Sequence, residues 1–100
     1  MVESTILIKK LRAVIGGPDG FTVTLTGRVA NTMALLIAAG ERGITPIEWP
    51  QPRTSDYVFK ARKMGIAIET VMEPHGGPFP GEHARYILRS PVEILSEVRA

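Results

Sequence analysis

Four basic side chains near the middle of the chain are the clearest candidates for chemistry: Arg53, Lys60, Arg62 and Lys63. Asp56 is the one acidic residue among them, so this segment carries a local charge of +3 in a chain whose net charge is +2. The remainder of the chain therefore sums to −1. Concentrated positive charge on a near-neutral body is typical of an anion-binding face, and the alternative interpretation is an ordinary solvated helix surface.

A second group of candidates lies in a Gly- and Pro-rich stretch, residues 73–83, and in the arginine just beyond it. Glycines let a partner approach the backbone closely, histidine and arginine donate hydrogen bonds or carry charge, and prolines lower the entropy lost on docking. The alternative is a loop that folds on itself, with Phe79 against the body of the protein. The candidate contact residues are His75, Gly76, Gly77, His83 and Arg85.

The sequence supports a metal site or a catalytic site less well than it supports the two groups of contact residues above. His75 and His83, with Glu73 and Glu82 beside them, give a weak metal pattern because no cysteine supports it. The sequence contains no Ser/His/Asp arrangement, no phosphate-cradling loop and no paired carboxylates at an apolar position. We therefore expect no metal, no cofactor and no enzymatic activity.

The composition predicts a cytoplasmic protein with a single domain-sized core. The chain has 100 residues, 44% of them hydrophobic, and no cysteine, which favours a reducing compartment. The longest apolar run, Met33–Ala39, is far shorter than the roughly 20 residues that a membrane span needs. Positive charge follows the apolar N-terminal patch instead of preceding it, which is the wrong order for a secretory signal.

Two short helices separated by a proline break are predicted to position the basic residues. Thr45–Glu48 matches a capping box and predicts a short helix. Pro50 and Pro52 end that helix, and Trp49 before them is expected to pack in or beside the core. A new helix is predicted over Thr54–Met64, closed by the glycine that follows. The break would fix the angle between a supporting helix and a helix that presents a surface.

A helical wheel divides the second helix into two sides at about 100° per residue. Phe59 lies near the centre of the outward side, where it could contact thymine methyl groups, or bury against the N-terminal helix or a second chain. Arg62 could contact a ligand, or it could bridge to Glu69 on the next strand. The side expected to pack on the core consists of Tyr57, Val58, Ala61 and Met64. The outward side consists of Ser55, Asp56, Phe59 and Lys63, flanked by Lys60 and Arg62.

Hydrophobic periodicity predicts the elements that precede these helices. Apolar residues at helical spacing predict a helix over Ser4–Ile15, although its β-branched residues leave a strand open. Gly16–Gly20 is a turn cluster. Alternation predicts a short strand over Phe21–Leu25, and a 3.6-residue period predicts a helix from Val29 to about Gly40.

The remainder of the chain predicts a hairpin and a helical tail. Ile66–Met72 and Ala84–Leu88 alternate as strands do, and the stretch between them, Glu73–His83, would be an unusually long loop. A second capping box, Ser90–Glu93, predicts a short helix that ends near Val98.

This order of elements resembles the winged-helix family of DNA-binding domains over roughly residues 21–89. More narrowly, SDYVFKARKMGIAIETVMEPHGGPFPGEHARYILRS resembles small winged-helix proteins of bacteria and their phages. The resemblance implies an α+β winged helix-turn-helix fold with a three-helix core and a β-hairpin wing. An N-terminal helix and turn (residues 1–20) and a C-terminal helical tail (residues 90–100) would flank the winged-helix domain.

The resemblance also implies a function. The helix over residues 54–64 would enter the major groove of double-stranded DNA, and the wing, residues 73–83, would lie on the backbone or minor groove. The protein would be a small transcriptional regulator. Apart from the resemblance, the apolar faces of the predicted terminal helices, which lie outside the winged core, predict a homodimer through these helices. The alternative is a winged-helix adaptor that binds proteins and not DNA. The implied DNA contacts are Arg53, Ser55, Phe59, Lys60, Arg62, Lys63, His75, Gly76, Gly77, His83 and Arg85.

Overall fold

A computed structural model of the protein describes residues 7–48 and 53–99. The proline break and Trp49 therefore lie outside the described residues. A 3₁₀ turn, Gly40–Arg42, follows the first α-helix. In chain order, the strands and α-helices are β1 (Ile8–Ile15), β2 (Phe21–Thr26), α1 (Gly27–Ala39), α2 (Thr54–Lys63), β3 (Ile68–His75), β4 (Gly81–Leu88) and β5 (Val92–Arg99).

Three strands form an antiparallel sheet in the order β2-β1-β5. The central strand β1 buries Leu11, Ala13 and Ile15, and α1 packs over this inner face through Met33 and Leu36. One side of the sheet thus forms the core with α1, whereas alternate residues of β1 and β2 point away from it.

The predicted N-terminal helix is wrong where the structure describes it, because Ile8–Ile15 is strand β1. Its apolar residues satisfy a helical period and a two-residue period at once, so periodicity alone does not decide between them. Pairing does decide: β1 lies between β2 and β5 and forms antiparallel ladders with both.

The predicted C-terminal helix is also wrong, since Val92–Arg99 is strand β5. The amide of Gly16 donates to the carbonyl of Pro91 at 2.9 Å, which places the start of β5 beside the end of β1. Val92, Ile94 and Val98 are β-branched and favour a strand, so cross-strand pairing overrides the capping signal.

The helix predictions in the middle of the chain are confirmed in part. Both α1 and α2 lie where periodicity placed them. The described residues contain two α-helices and not the predicted three-helix core. In the first capping box, the amide of Glu48 donates to Thr45 Oγ1 at 3.2 Å as predicted, but residues 46–48 form only a turn.

The predicted hairpin is present, and its loop is shorter than expected. Strands β3 and β4 pair without interruption up to His75 opposite Gly81, which leaves only residues 76–80 as the tip. An isolated bridge between Ile44 and Tyr86 ties the hairpin to the chain segment between α1 and α2. Within the described ranges, neither helix is long and apolar enough to cross a membrane.

Candidate nucleic-acid interface

Helix α2 is fixed to the body of the protein by one apolar side. Val58 and Ala61 are buried and α2 packs on α1, as the wheel predicted. Met64 departs from the prediction, because it lies one residue beyond the helix and is 38% exposed. The carbonyl of Arg53 accepts the amides of Asp56 and Tyr57, so this arginine is the N-cap residue.

The opposite side of α2 faces solvent. Ser55, Phe59, Lys60 and Lys63 are all exposed there. Phe59 is 57% exposed, so it is not part of the core of this chain, and Lys63 Nζ lies 5.4 Å from the centre of its ring. A cation over an aromatic face is a favourable arrangement, and here it forms a mixed apolar and basic surface.

The positive charge of α2 is partly neutralised on the helix itself. Asp56 Oδ2 lies 3.3 Å from Arg53 Nη2 and 3.4 Å from Lys60 Nζ. Both basic side chains remain well exposed, at 72% for Arg53 and 56% for Lys60. Exposed ion pairs of this kind contribute little to stability and exchange readily with other anions, so both cations stay available to a ligand.

Arg62 points away from the outward side and bridges α2 to the hairpin. Its guanidinium donates to the carbonyl of Ile68 through Nε at 3.1 Å and Nη2 at 2.6 Å, and to Thr70 Oγ1 at 2.7 Å. The alternative of a bridge to the next strand is therefore correct in direction, but the acceptors are these two groups and not the carboxylate of Glu69.

Arg85 forms an ion-pair network at the base of the wing. Its Nε donates to Glu73 Oε2, its Nη1 donates to the carbonyl of Arg42 at 2.7 Å, and Nη1 lies 3.8 Å from Glu48 Oε1. The hydrogen bond from Arg85 lowers the pKa of Glu73 despite partial desolvation. With 23% of its side chain exposed, Arg85 positions the hairpin against the body.

The two wing histidines lie against each other across the hairpin. Their Nδ1 atoms are 3.2 Å apart and their rings are stacked with centroids separated by 5.3 Å. His83 Nε2 lies 3.1 Å from Glu73 Oε1. At the tip, Gly76 and Gly77 are exposed and Phe79 is 88% exposed, so the interpretation that Phe79 packs on the body is wrong.

One open groove brings residues of α2 and of the wing together. Arg53 and Ser55 at the start of α2 and His83 of β4 line it jointly, with Glu82 and Ala84 beside them. The groove makes the exposed start of α2 continuous with the wing. Ser55 and His83 are far apart in the sequence, and their proximity depends on the register of the β3–β4 hairpin.

Sequence reasoning missed a second basic surface. Lys10 and Arg12 are exposed on β1, and the pairing register places them beside Thr24 and Thr26 of β2, on the sheet face that points away from α1. The alternation of these residues with Leu11 and Ala13 was the available signal, and the helical interpretation of the segment obscured it.

A comparison with known families settles the fold. The family model described as a winged helix domain matches residues 22–98. The chain belongs to the winged-helix family. No match was found among curated proteins or among solved structures. In this winged-helix chain the β3–β4 hairpin is the wing, and α2 is the helix that precedes it.

Proposed function

We propose that this winged-helix protein binds double-stranded DNA, with α2 in the major groove and the wing tip on the adjacent backbone or minor groove. The observation that best supports this proposal is that the exposed side of α2 continues into the wing through the groove that Arg53, Ser55 and His83 line. A small cytoplasmic transcriptional regulator is the role that we infer for such a protein.

The exposed residues divide by chemistry into base and phosphate contacts. Ser55, in the first turn of α2, is placed to bond a base edge or a phosphate, and Phe59 supplies apolar contact for thymine methyl groups. Arg53, Lys60 and Lys63 neutralise phosphates. Gly76 and Gly77 let the wing tip approach the DNA backbone, and His75 adds a hydrogen-bonding group near it.

Arg62, Arg85 and His83 are assigned a positioning role in this proposal. The two arginines already donate to acceptors within the protein, and the His83 side chain is only 16% exposed. About three basic groups therefore remain to meet phosphates. Because each phosphate contact contributes about −0.9 to the slope of log K against log salt, the expected slope is about −3.

The salt dependence of binding tests the proposal with a matched pair of variants. Lys63→Gln should weaken binding to all duplexes alike and flatten the slope by about one unit. Lys10→Gln makes the same charge change on the sheet face that points away from α1, and should leave both quantities unchanged. The measurement is fluorescence anisotropy with mixed-sequence duplex at several salt concentrations.

Two results would overturn the DNA proposal. One is the absence of binding at low salt with tens of micromolar protein, where non-specific attraction is expected. The other is an equal effect of Lys10→Gln and Lys63→Gln, since the charge of the whole chain, and not the surface of α2, would then govern binding.

A protein-binding adaptor is the second candidate function, favoured by exposed apolar side chains. Phe59 is 57% exposed on α2, and Ile94, Leu95 and Val98 on β5 are 40–44% exposed.

In the described sheet, β5 pairs with β1 on one side only. We propose that two copies associate through this edge strand, since unpaired edges readily add another strand. The terminal helices expected to form the dimer are replaced by β1 and β5 in the described residues.

A further inference from the structure

The two histidines occupy diagonal positions on one face of the wing. His83 pairs directly with Glu73, and His75 pairs with Gly81 two residues nearer the tip. Residues directly opposite in an antiparallel pair share a face, so all four residues lie on the same side of the hairpin. Diagonal neighbours on such a face are within reach of long or aromatic side chains.

The separation of the two Nδ1 atoms matches the spacing of ligands around a metal ion. Metal–nitrogen bonds of 2.0–2.1 Å place two neighbouring ligand nitrogens about 3.3 Å apart in a tetrahedral site and about 2.9 Å apart in the tetragonal site that Cu²⁺ prefers. The observed Nδ1–Nδ1 distance is 3.2 Å. We propose that His75 and His83 bind a late first-row divalent transition-metal ion through Nδ1, with Cu²⁺ bound most tightly.

The surroundings of His83 support this role. Its Nε2 lies 3.1 Å from Glu73 Oε1, and Glu73 in turn accepts a hydrogen bond from Arg85. Metal-binding histidines characteristically donate their other ring nitrogen to a carboxylate, which fixes the tautomer and the ring orientation. With the Nε2 proton directed at Glu73, His83 Nδ1 carries a lone pair that can pass from its hydrogen bond with His75 to a metal.

His75 can supply its Nδ1 without losing a proton overall. If Nε2 of His83 carries its proton toward Glu73, then His75 Nδ1–H is the donor and His83 Nδ1 the acceptor in the metal-free contact. When the metal binds, that proton moves to Nε2 of His75 by exchange with solvent, and both Nδ1 lone pairs face the metal.

The donor set decides which ions bind. In the described part of the chain, no group of three or more His, Cys, Asp and Glu side chains converges on one point, so the proposed site has two protein ligands and completes its coordination with water. Imidazole nitrogen suits Cu²⁺, Ni²⁺ and Zn²⁺, and the Irving–Williams order ranks Cu²⁺ highest. Mg²⁺ and Ca²⁺ prefer oxygen ligands and should not compete.

A bound ion would link the end of β3 to the start of β4. Because a ligand that binds only the folded hairpin stabilises it by mass action, the wing tip should become more protected from exchange in the presence of the metal. The site lies on the wing, so its occupancy is measured without DNA and does not depend on DNA binding.

Titration of the full chain with Cu²⁺ in a weakly coordinating buffer tests the site. We expect one ion per chain and an electron paramagnetic resonance spectrum with two coordinated imidazole nitrogens. His75→Gln and His83→Gln should each remove the two-nitrogen signature. Glu73→Gln should lower the affinity about 10- to 100-fold by releasing the His83 ring, whereas Glu82→Gln, on the opposite face of the hairpin, should leave the affinity unchanged.

Three outcomes would overturn the metal site. The first is the absence of saturable binding at roughly 0.1 mM Cu²⁺. The second is retention of the two-nitrogen spectrum in both histidine variants. The third is an equal loss of affinity in Glu73→Gln and Glu82→Gln. Circular dichroism of each metal-free variant establishes that the hairpin is folded before the titration.

Discussion

Gly43 is the position where a single methyl group should separate the wing from the body of the protein. Its φ is 69° and its ψ is −175°, a conformation open essentially to glycine alone. A Cβ there would lie 2.5 Å from the carbonyl oxygen of Tyr86 and 2.8 Å from Ile87 Cγ1. Backbone cannot yield as a flexible side chain does, so Gly43→Ala must displace β4.

The expected cost of Gly43→Ala follows from two contributions. The backbone conformation costs about 1–3 kcal/mol for a residue with a Cβ. The displacement also breaks the bridge in which Ile44 and Tyr86 exchange two hydrogen bonds of 2.9 Å, at about 1 kcal/mol each. The free energy of unfolding should therefore fall by about 3–5 kcal/mol, a large part of the 5–15 kcal/mol typical of a domain.

Gly40→Ala is the matched control for this prediction. Gly40 has a φ of 58° and a ψ of −135°, but a Cβ there meets nothing within 4 Å. Gly40→Ala should show only the conformational cost. Its free energy of unfolding should fall by about 2 kcal/mol less than that of Gly43→Ala, which corresponds to a difference of about 1–2 M in the urea midpoint. Urea unfolding followed by circular dichroism measures both variants. An equal or larger loss in Gly40→Ala would refute the reasoning, because the contact with Tyr86 would then contribute nothing.

Three further predictions concern the wing and the edge strand. Because the hydrogen bond from Arg85 lowers the pKa of Glu73, this carboxylate stabilises the fold above its ordinary value of 4.5 and loses that effect as pH falls through the depressed value. Urea unfolding should show Glu73→Gln less stable than wild type at pH 7, with a difference that shrinks as the pH falls below 4.5. In hydrogen exchange without DNA or metal, the amides of Gly76, Gly77 and Phe79 should exchange faster than those of β3 and β4, and strong protection there would contradict an open tip. Sedimentation at micromolar concentration should show a dimer that Ile94→Lys converts to the 10.9 kDa monomer, and a wild-type monomer would exclude association through β5.

Helix α2 and the wing could be predicted because local sequence signals agree with the tertiary structure there. Helix α2 begins at Thr54 with an acidic residue in its first turn and an apolar side at helical spacing, and Gly65 stands two residues after its last residue. In the hairpin, alternation and the Gly/Pro cluster indicate both strands, although the strands extend further toward the tip than predicted. Where several local preferences indicate the same structure, tertiary contacts reinforce that structure.

The terminal strands could not be predicted, because their local signals conflict with the pairing that determines them. Leu11 and Ile15 fit one face of a helix as well as one face of a strand. Neither segment forms a stable strand alone; β1 is a strand because β2 and β5 lie on its two sides. The capping box at residues 90–93 is likewise overridden by pairing with β1.

The candidate site was predictable in its exposed side chains but not in their partners. A wheel suffices to place Phe59 and Lys63 on the outward side of α2, because exposure depends on the helix alone. The acceptors of Arg62 and Arg85 depend on the hairpin register and on the bridge at Ile44, which no local pattern encodes. Counting charges along the sequence therefore overstates the positive charge that a ligand would meet.

The internal hydrogen bonds of Arg62 and Arg85 affect how the proposed interface would work. Arg62 and Arg85 hold the wing against α2 and against the segment before it, while Asp56 offsets part of the charge of Arg53 and Lys60. Lys63 lies over Phe59, so the centre of the outward side is as much apolar as basic. Electrostatic attraction alone would then give only weak binding, because affinity for a polyanion scales with the number of neutralised phosphates. Discrimination between sites must come from the fit of Ser55 and Phe59 into the groove, and that fit requires the fixed angle between α2 and the wing that Arg62 and Arg85 maintain.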